Sequence, residues 1–289
     1  MISLVVATYN RLEVLMNFFD SVLNSGVKFE IVLIDQNDLL DLKDLIHKYR
    51  SFGLDIEYIK ISEKNLSKAR NFGISICKYD IIGFPDDDCF YDPSTLLNIV
   101  NHFENNITDV LVGRWLEIDF KYRKGLIPLD RSEILNFKGI PTSSITVFFR
   151  KCCLEKIGGF DVRLGVGQWF GAGEETDLII RATKAGFFIC YDYNVIVHHK
   201  FVKVEDYVNY NLNFKRQRGV GAIYIKNKMP VYIILRGLFS PIWRALFCFN
   251  SIMFINNILI FSGRIIGSFF WLLKYSNREN AYFSRINQI

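Results

Sequence analysis

Tyr79-Asp80-Ile81-Ile82-Gly83-Phe84-Pro85-Asp86-Asp87-Asp88 joins an apolar run to three consecutive acids. Its first six residues make an apolar run of strand length, and Cys89-Phe90-Tyr91-Asp92-Pro93 behind it announces a turn and a helix start. Three adjacent carboxylates at the carboxyl end of a buried strand repel one another, and burying even one unpaired charge is costly, so the arrangement implies a compensating cation. Hard oxygen ligands with no cysteine or histidine spacing nearby favour Mg2+ or Mn2+, sharing its shell with a phosphate-bearing substrate. The competing reading is an exposed acidic turn.

Upstream, Ile2 to Ala7 is a continuous β-branched run ending in Thr8-Tyr9-Asn10-Arg11, and Leu12, Leu15, Phe18, Phe19 and Val22 then recur at helical spacing. A second buried strand, Glu30 to Ile34, stops at Asp35-Gln36-Asn37-Asp38. A helix over about 40–52 and a strand over 55–61 complete the alternation. Such order predicts an α/β fold with a parallel sheet covered on both faces and ligands gathered beyond the strand carboxyl ends. Asn65-Leu66-Ser67-Lys68-Ala69-Arg70-Asn71 follows, with Ser67 as a candidate cap and Arg70 either on a solvated face or at the site.

Downstream, the pattern predicts a helix over 93–105, a strand over 108–117, a long loop over 119–142, a strand over 146–150 and a short helix ended by Gly158-Gly159. Gly165, Gly167, Gly171 and Gly173 do not match a dinucleotide fingerprint; they read as a mobile loop whose Trp169 offers a stacking face for a sugar. Glu174-Glu175-Thr176-Asp177 opens a helix closed by Gly186, where acids also simply suit the helix dipole. Short strands are expected over 187–191 and 194–197, the second leading to His198-His199.

Half of the 289 residues are hydrophobic and 15% are aromatic, which suggests an apolar binding surface or membrane contact. From Lys200 onward there are thirteen Lys/Arg against three acids, so an acidic front part of the chain is joined to a basic, apolar back part. Six cysteines without a CxxC pair read as reduced thiols, and with no basic leader before the first strand the expected compartment is the cytoplasm. The longest charge-free interval of the back part, 245–263, barely meets the ~20 residues needed to span hydrocarbon. The pattern therefore favours two or three amphipathic helices on the membrane surface, with a spanning helix or a packed helical subdomain as the other readings. No stacking platform accompanies the basic residues, so no nucleic-acid partner is expected.

Taken together, the opening strand with Thr8-Tyr9-Asn10, the strand ending in Asp35, Asn65 with Ala69-Arg70-Asn71, the acidic cluster, and Gly158-Gly159-Phe160-Asp161 followed by Gly173-Glu174-Glu175-Thr176-Asp177 resemble the inverting glycosyltransferases of family 2. The resemblance covers about residues 2–200. It implies a GT-A fold: a Rossmann-like, mostly parallel central sheet flanked by helices over 1–200, with a C-terminal apolar, basic helical segment over 201–289. It further implies that Thr8, Tyr9, Asn10 and Asp35 meet the nucleotide, and that Arg70 and Asn71 lie near its diphosphate or base. Asp86 and Asp88 match the outer positions of a DxD motif beside Asp87, binding donor and metal, with His198 (or His199) as a further metal ligand. Glu174-Glu175 aligns with the family's Glu-Asp pair. Glu where Asp is usual leaves Glu175, Glu174 and Asp177 as candidates for the base, with Glu175 preferred.

The implied reaction moves a sugar from a nucleotide-sugar donor to a saccharide acceptor, expected to be lipid-linked, in cell-surface polysaccharide synthesis. The implied location is peripheral, on the cytoplasmic face of the plasma membrane, with a homo-oligomer left open. The alternatives are a non-catalytic membrane-bound scaffold on a decayed fold and a nucleotidyl transfer releasing pyrophosphate.

Overall fold

The computed structural model describes residues 1–117, 125–137, 142–199, 209–248 and 250–286, with side chains in the last helix to residue 275. Its contacts divide the chain into two compact units, Met1–Phe160 with Leu178–Phe201, and Asp161–Asp177 with Val202–Ile289. The sequence expects a boundary at 200/201, whereas the structure assigns 161–177 to the second unit as well. The cause is local: the Gly171 N–H donates to the Lys215 carbonyl at 3.1 Å, and the Phe170 ring packs 5.1 Å from that of Trp271.

The first unit runs β1 (Ile2–Thr8), α1 (Leu12–Val22), β2 (Phe29–Asp35), α2 (Lys43–Ser51), β3 (Ile56–Lys60), α3 (Leu66–Ile76), β4 (Ile81–Gly83), β5 (Cys89–Tyr91) and α4 (Thr95–Asn105). It continues with β6 (Val110–Trp115), β7 (Leu126–Pro128), α5 (Arg131–Leu135), β8 (Val147–Arg150), α6 (Lys151–Ile157), α7 (Glu174–Lys184) and β9 (Ile189–His199). The sheet order is β3-β2-β1-β4-β8-β6-β9-β5, with β7 on β9. β3, β2, β1 and β4 are parallel, as the alternating strands and helices require. β8 then runs antiparallel to β4 and β6, and β5 antiparallel to β9, so the sheet is mixed rather than mostly parallel. β5 begins a few residues after β4, with no crossover helix between them to return it parallel.

α1 buries Leu15, Phe18, Phe19 and Val22 against one face of the sheet, where Leu4, Val6, Ile31 and Leu33 point. Val5, Val32 and Ile34 point to the other face, against Ala69, Leu178, Ile179 and Ala182. Each such fully buried side chain contributes about 1.5–3 kcal/mol relative to exposure. Asn65, not Ser67, caps α3, accepting from the Lys68 N–H at 3.0 Å, and Ser67 is buried inside the helix. The two strands expected over 187–197 are one, because a register shift between Val112 and Arg114 of β6 absorbs the polar Asp192-Tyr193-Asn194 interruption. Of the expected 119–142 loop, 119–124 and 138–141 lie outside the described residues; between them stand β7 and α5.

The second unit contains the first turn of α7 and the helices α8 (Tyr210–Lys226), α9 (Val231–Leu246) and α10 (Ser251–Ile286). α8 and α10 meet through glycines: a Cβ on Gly221 would lie 2.0 Å from the Arg264 carbonyl oxygen, and one on Gly267 2.0 Å from that of Arg218.

Candidate active site

Because β1, β2 and β4 are parallel, their carboxyl ends share one edge, and Thr8 stands in register with Asp35. The segments that follow them are tied together there. Thr8 donates its hydroxyl to Asp87 at 2.7 Å, and the Asn10 N–H donates to the Asn37 side chain. Asn10 adopts φ +54, a left-handed turn that asparagine tolerates.

The three aspartates face different partners. Asp86 pairs with Arg70 at 2.8 Å, and Arg70, 1% exposed, also donates to the Ser144 hydroxyl at 3.0 Å. That burial excludes a solvated-face role for Arg70. Asp87 is buried against Thr8 and Arg11; burial pushes its carboxyl up to about 6, although Thr8 and the Arg11 charge oppose the shift. Asp88 meets Arg11 at 2.7 Å and His199 Nε2 at 2.9 Å. Burial disfavours its ionisation, but the His199 hydrogen bond and the charges of His199 and Arg11 outweigh this and hold it below the ordinary carboxylate range. Part of the compensating positive charge demanded by the sequence is thus supplied by Arg11 and Arg70 themselves.

Asp86, Asp88 and His199 each offer one ligand atom, all within 4.8 Å of one another. The register Cys89↔His199 between β5 and β9 brings this about, since it sets His199 next to the end of the acid cluster. His198, the histidine expected as a ligand, points elsewhere: its Nδ1 lies 3.0 Å from Glu117 and its Nε2 3.1 Å from Asp92. Neighbouring strand residues face opposite sides, so only one of the pair can face the aspartates. The buried Val195 and Val197 mark the side that His199 shares, a signal already present in the sequence. Arg11 was missed because a half-exposed arginine in a loop has no periodicity to betray it.

Asp35 is fully buried and already accepts from the Asn37 N–H (2.8 Å) and side-chain amide (2.6 Å) and from the Tyr58 hydroxyl (2.7 Å). Tyr9 stays exposed, with Lys64 Nζ 4.8 Å from its ring centre. Asn71 does not face the cluster: its amide donates to the Phe160 carbonyl at 2.8 Å and accepts from the Phe160 N–H at 2.7 Å. That clamp holds the Gly158-Gly159 turn, both glycines at positive φ.

In the second unit Glu174 and Asp177 are buried and Glu175 is half-buried, as the 100° step per residue predicts. Asp177 is held by Lys226 at 2.6 Å and Asn227 at 2.9 Å, and Lys226 also meets Asp161 at 3.1 Å. Glu175 accepts from the Thr176 hydroxyl at 3.0 Å. The glycine-rich loop makes contacts of its own: the Gly165 N–H donates to the Phe170 carbonyl, and Trp169, 42% exposed, lies under the Arg218 guanidinium at 4.1 Å.

The chain belongs to glycosyl transferase family 2, whose model matches residues 3–153. It is 28% identical over 119 residues to poly(ribitol-phosphate) beta-N-acetylglucosaminyltransferase TarP of Staphylococcus aureus, covering 39% of this chain and 36% of that protein. It is 32% identical over 139 residues to hyaluronan synthase of Pasteurella multocida, covering 47% and 14%. The chain thus spans little more than a third of the first relative's length and less of the second's. Among solved structures it resembles S. aureus TarS 1-349 at TM-score 0.60 with 14% identity, covering 92% of this chain and 91% of that one. It also resembles the mannosyltransferase PcManGT of Pyrobaculum calidifontis, in complex with GDP-Man and Mn2+, at TM-score 0.61 with 13% identity, covering 99% and 79%. At such identities these likenesses establish the fold, which is GT-A.

Proposed function

We propose that this protein is a metal-dependent, inverting glycosyltransferase that moves a sugar from a nucleotide-sugar donor to a lipid-linked saccharide acceptor in cell-surface polysaccharide synthesis. The observation that carries the reading is the convergence of Asp86, Asp88 and His199 within 4.8 Å at the strand ends. Two carboxylates with an imidazole suit Mn2+ better than Mg2+, which prefers an all-oxygen shell. A divalent cation bound there supplies charge neutralisation for a diphosphate leaving group. UDP, UDP-GlcNAc and GDP-Man, found with structural relatives, are the first donors to try.

The protein's own groups have separable tasks. Arg11, its side chain 53% exposed, gives up part of its pairing with Asp87 and Asp88 to a phosphate oxygen. Tyr9 offers its exposed ring to the base. Glu175, the accessible carboxylate of its helix turn, accepts the acceptor hydroxyl's proton while that oxygen attacks the anomeric carbon. The bond to the diphosphate breaks on the opposite face and configuration inverts, with general base assistance of about 10²–10⁴-fold. Asp177, paired with Lys226, is the weaker candidate for this task.

The second unit supports a peripheral membrane site. α10 is long and apolar enough to cross a bilayer over Ser251–Tyr275, with mean hydropathy 1.5. Yet α8 runs beside it in the same direction, pairing Asn213 with Asn256 and Gln217 with Arg264. Sinking α10 would drag Lys215, Arg216 and Arg218 of α8 into hydrocarbon, at a cost of about 2.5–3.5 kcal/mol each. α9 and the Phe247 that caps it instead expose Val231, Leu235, Phe239, Trp243 and Phe247 at four-residue intervals beside exposed Arg236 and Arg244, a pattern suited to lying in the interface of an anionic leaflet.

The test is release of nucleoside diphosphate from UDP-GlcNAc or GDP-Man by the purified chain with detergent-solubilised lipid-linked saccharides. The expected result is release with Mn2+ and none with chelator or with Asp88→Ala. Membrane binding with no turnover of any donor would favour the scaffold reading instead.

A further inference from the structure

Four residues of the first unit surround His199 without taking part in the chemistry above. Glu117 accepts the His199 backbone N–H at Oε2, 3.1 Å, and meets His198 Nδ1 at Oε1, 3.0 Å. Trp115 donates its indole N–H to the His199 carbonyl at 2.9 Å and sets its ring edge-on to the imidazole, 5.2 Å between centres at 87°. On the other side of the strand, Asp92 lies 3.1 Å from His198 Nε2. Both backbone polar groups of His199 and both ring nitrogens of its neighbour are therefore held by side chains drawn from β6 and from the turns that follow β5 and β6.

We propose that Glu117, with Trp115, His198 and Asp92, is a positioning device that aims His199 Nε2 at the space between Asp86 and Asp88; this rests on the metal-site reading. His199 is the last residue of β9, where strands fray, and a ligand must be held within about 0.5 Å of its productive geometry. The ladder to Cys89 fixes the level of His199 along the strand. Glu117 and Trp115 fix its peptide planes, and with them the direction of its Cβ. Glu117 is the hinge of the arrangement because its two oxygens grip consecutive residues that face opposite ways. If these contacts merely closed the sheet, losing them would lower stability and leave the cation affinity of the folded protein unchanged.

The experiment is a Mn2+ titration of the full chain, with free Mn2+ followed by its electron paramagnetic resonance signal and folding checked by circular dichroism. His199→Ala removes the ligand and calibrates the scale. Glu117→Gln is expected to weaken Mn2+ binding about 10-fold, the low end for losing a ligand-orienting partner. Trp115→Phe, which keeps an aromatic ring beside the imidazole but loses the indole N–H and the five-membered ring that carries it, is expected to weaken it in the same direction by less. Folded Glu117→Gln and Trp115→Phe proteins that bind Mn2+ like the parent, while His199→Ala does not, would overturn the positioning role and leave the metal site standing. A parent protein that binds no Mn2+ would overturn both. If Glu117→Gln fails to fold, Trp115→Phe decides alone.

Discussion

Asp86-Asp87-Asp88 in the first unit, of which only Asp87 is buried, and Asp161 with Asp177 in the second are both groups of carboxylates met by basic side chains, yet they are balanced differently. Asp161 and Asp177 meet Arg163 and Lys226, two negative charges against two positive. The triplet has three negative charges against Arg11 and Arg70, with His199 as a third partner whose charge depends on its proton. The first arrangement is closed, since every carboxylate has a fixed cation and the outcome is held backbone. The second retains an excess negative charge aimed at one point, the condition for taking up a metal ion and a phosphate.

The contrast can be broken most severely at Asp88. Asp88→Ala is expected to lower turnover by about 10³-fold or more, since the several kcal/mol of charge stabilisation by the cation goes with it, while the urea midpoint stays near the parent's. A large loss of stability with activity retained would assign the triplet a structural role. Lys226→Met should do the reverse. It leaves Asp177 buried without its cation and is expected to cost about 3 kcal/mol of stability in urea unfolding, and a variant as stable as the parent would contradict the closed network. Glu175→Gln should lower kcat about 10²-fold with nucleotide affinity intact; an unchanged kcat would move the base to Glu174.

The smallest effect expected is a pH dependence of stability from Asp161. Burial raises its pKa, but the hydrogen bond from Arg163 and the charges of Lys226 and Arg163 outweigh burial and hold the carboxyl below the ordinary carboxylate range. A folded pKa below the unfolded one means that the unfolded chain takes up its proton first. Stability from this group is therefore present above pH 4–5 and lost as pH falls further, by about 1–2 kcal/mol. Asp161→Asn should flatten that part of the profile; a profile unchanged by the substitution would show that Asp161 is not held in this way.

What could be read from the sequence follows the same division. Strands that end abruptly in polar residues, such as Val6 before Thr8 and Ile34 before Asp35, announce both a buried sheet and the edge where ligands gather, so the order of the first four strands was legible. The acid cluster was legible as a charge excess. The alternation Val195, Val197, His199 set the side of the strand that His199 takes, but that this side meets the acids was not legible, because it depends on β5 and β9 pairing across some hundred residues in one register. The Asn71 clamp on Phe160 and the contacts of the 165–173 loop were hidden for the same reason: both are long-range contacts made by residue types that also serve ligands. The tail showed its composition but not that α8, polar in its first half, would pack beside α10.

The proposed reaction requires that the aspartate triplet complete its charge balance with a divalent cation that carries a nucleoside diphosphate. Calorimetric titration of UDP and GDP into the purified chain, with Mn2+ and again with excess chelator, tests it most directly. At least one nucleotide is predicted to bind with Mn2+ and to lose that binding in chelator and in Asp88→Ala. Equal binding with and without the metal, or binding by Asp88→Ala as tight as by the parent, would contradict it.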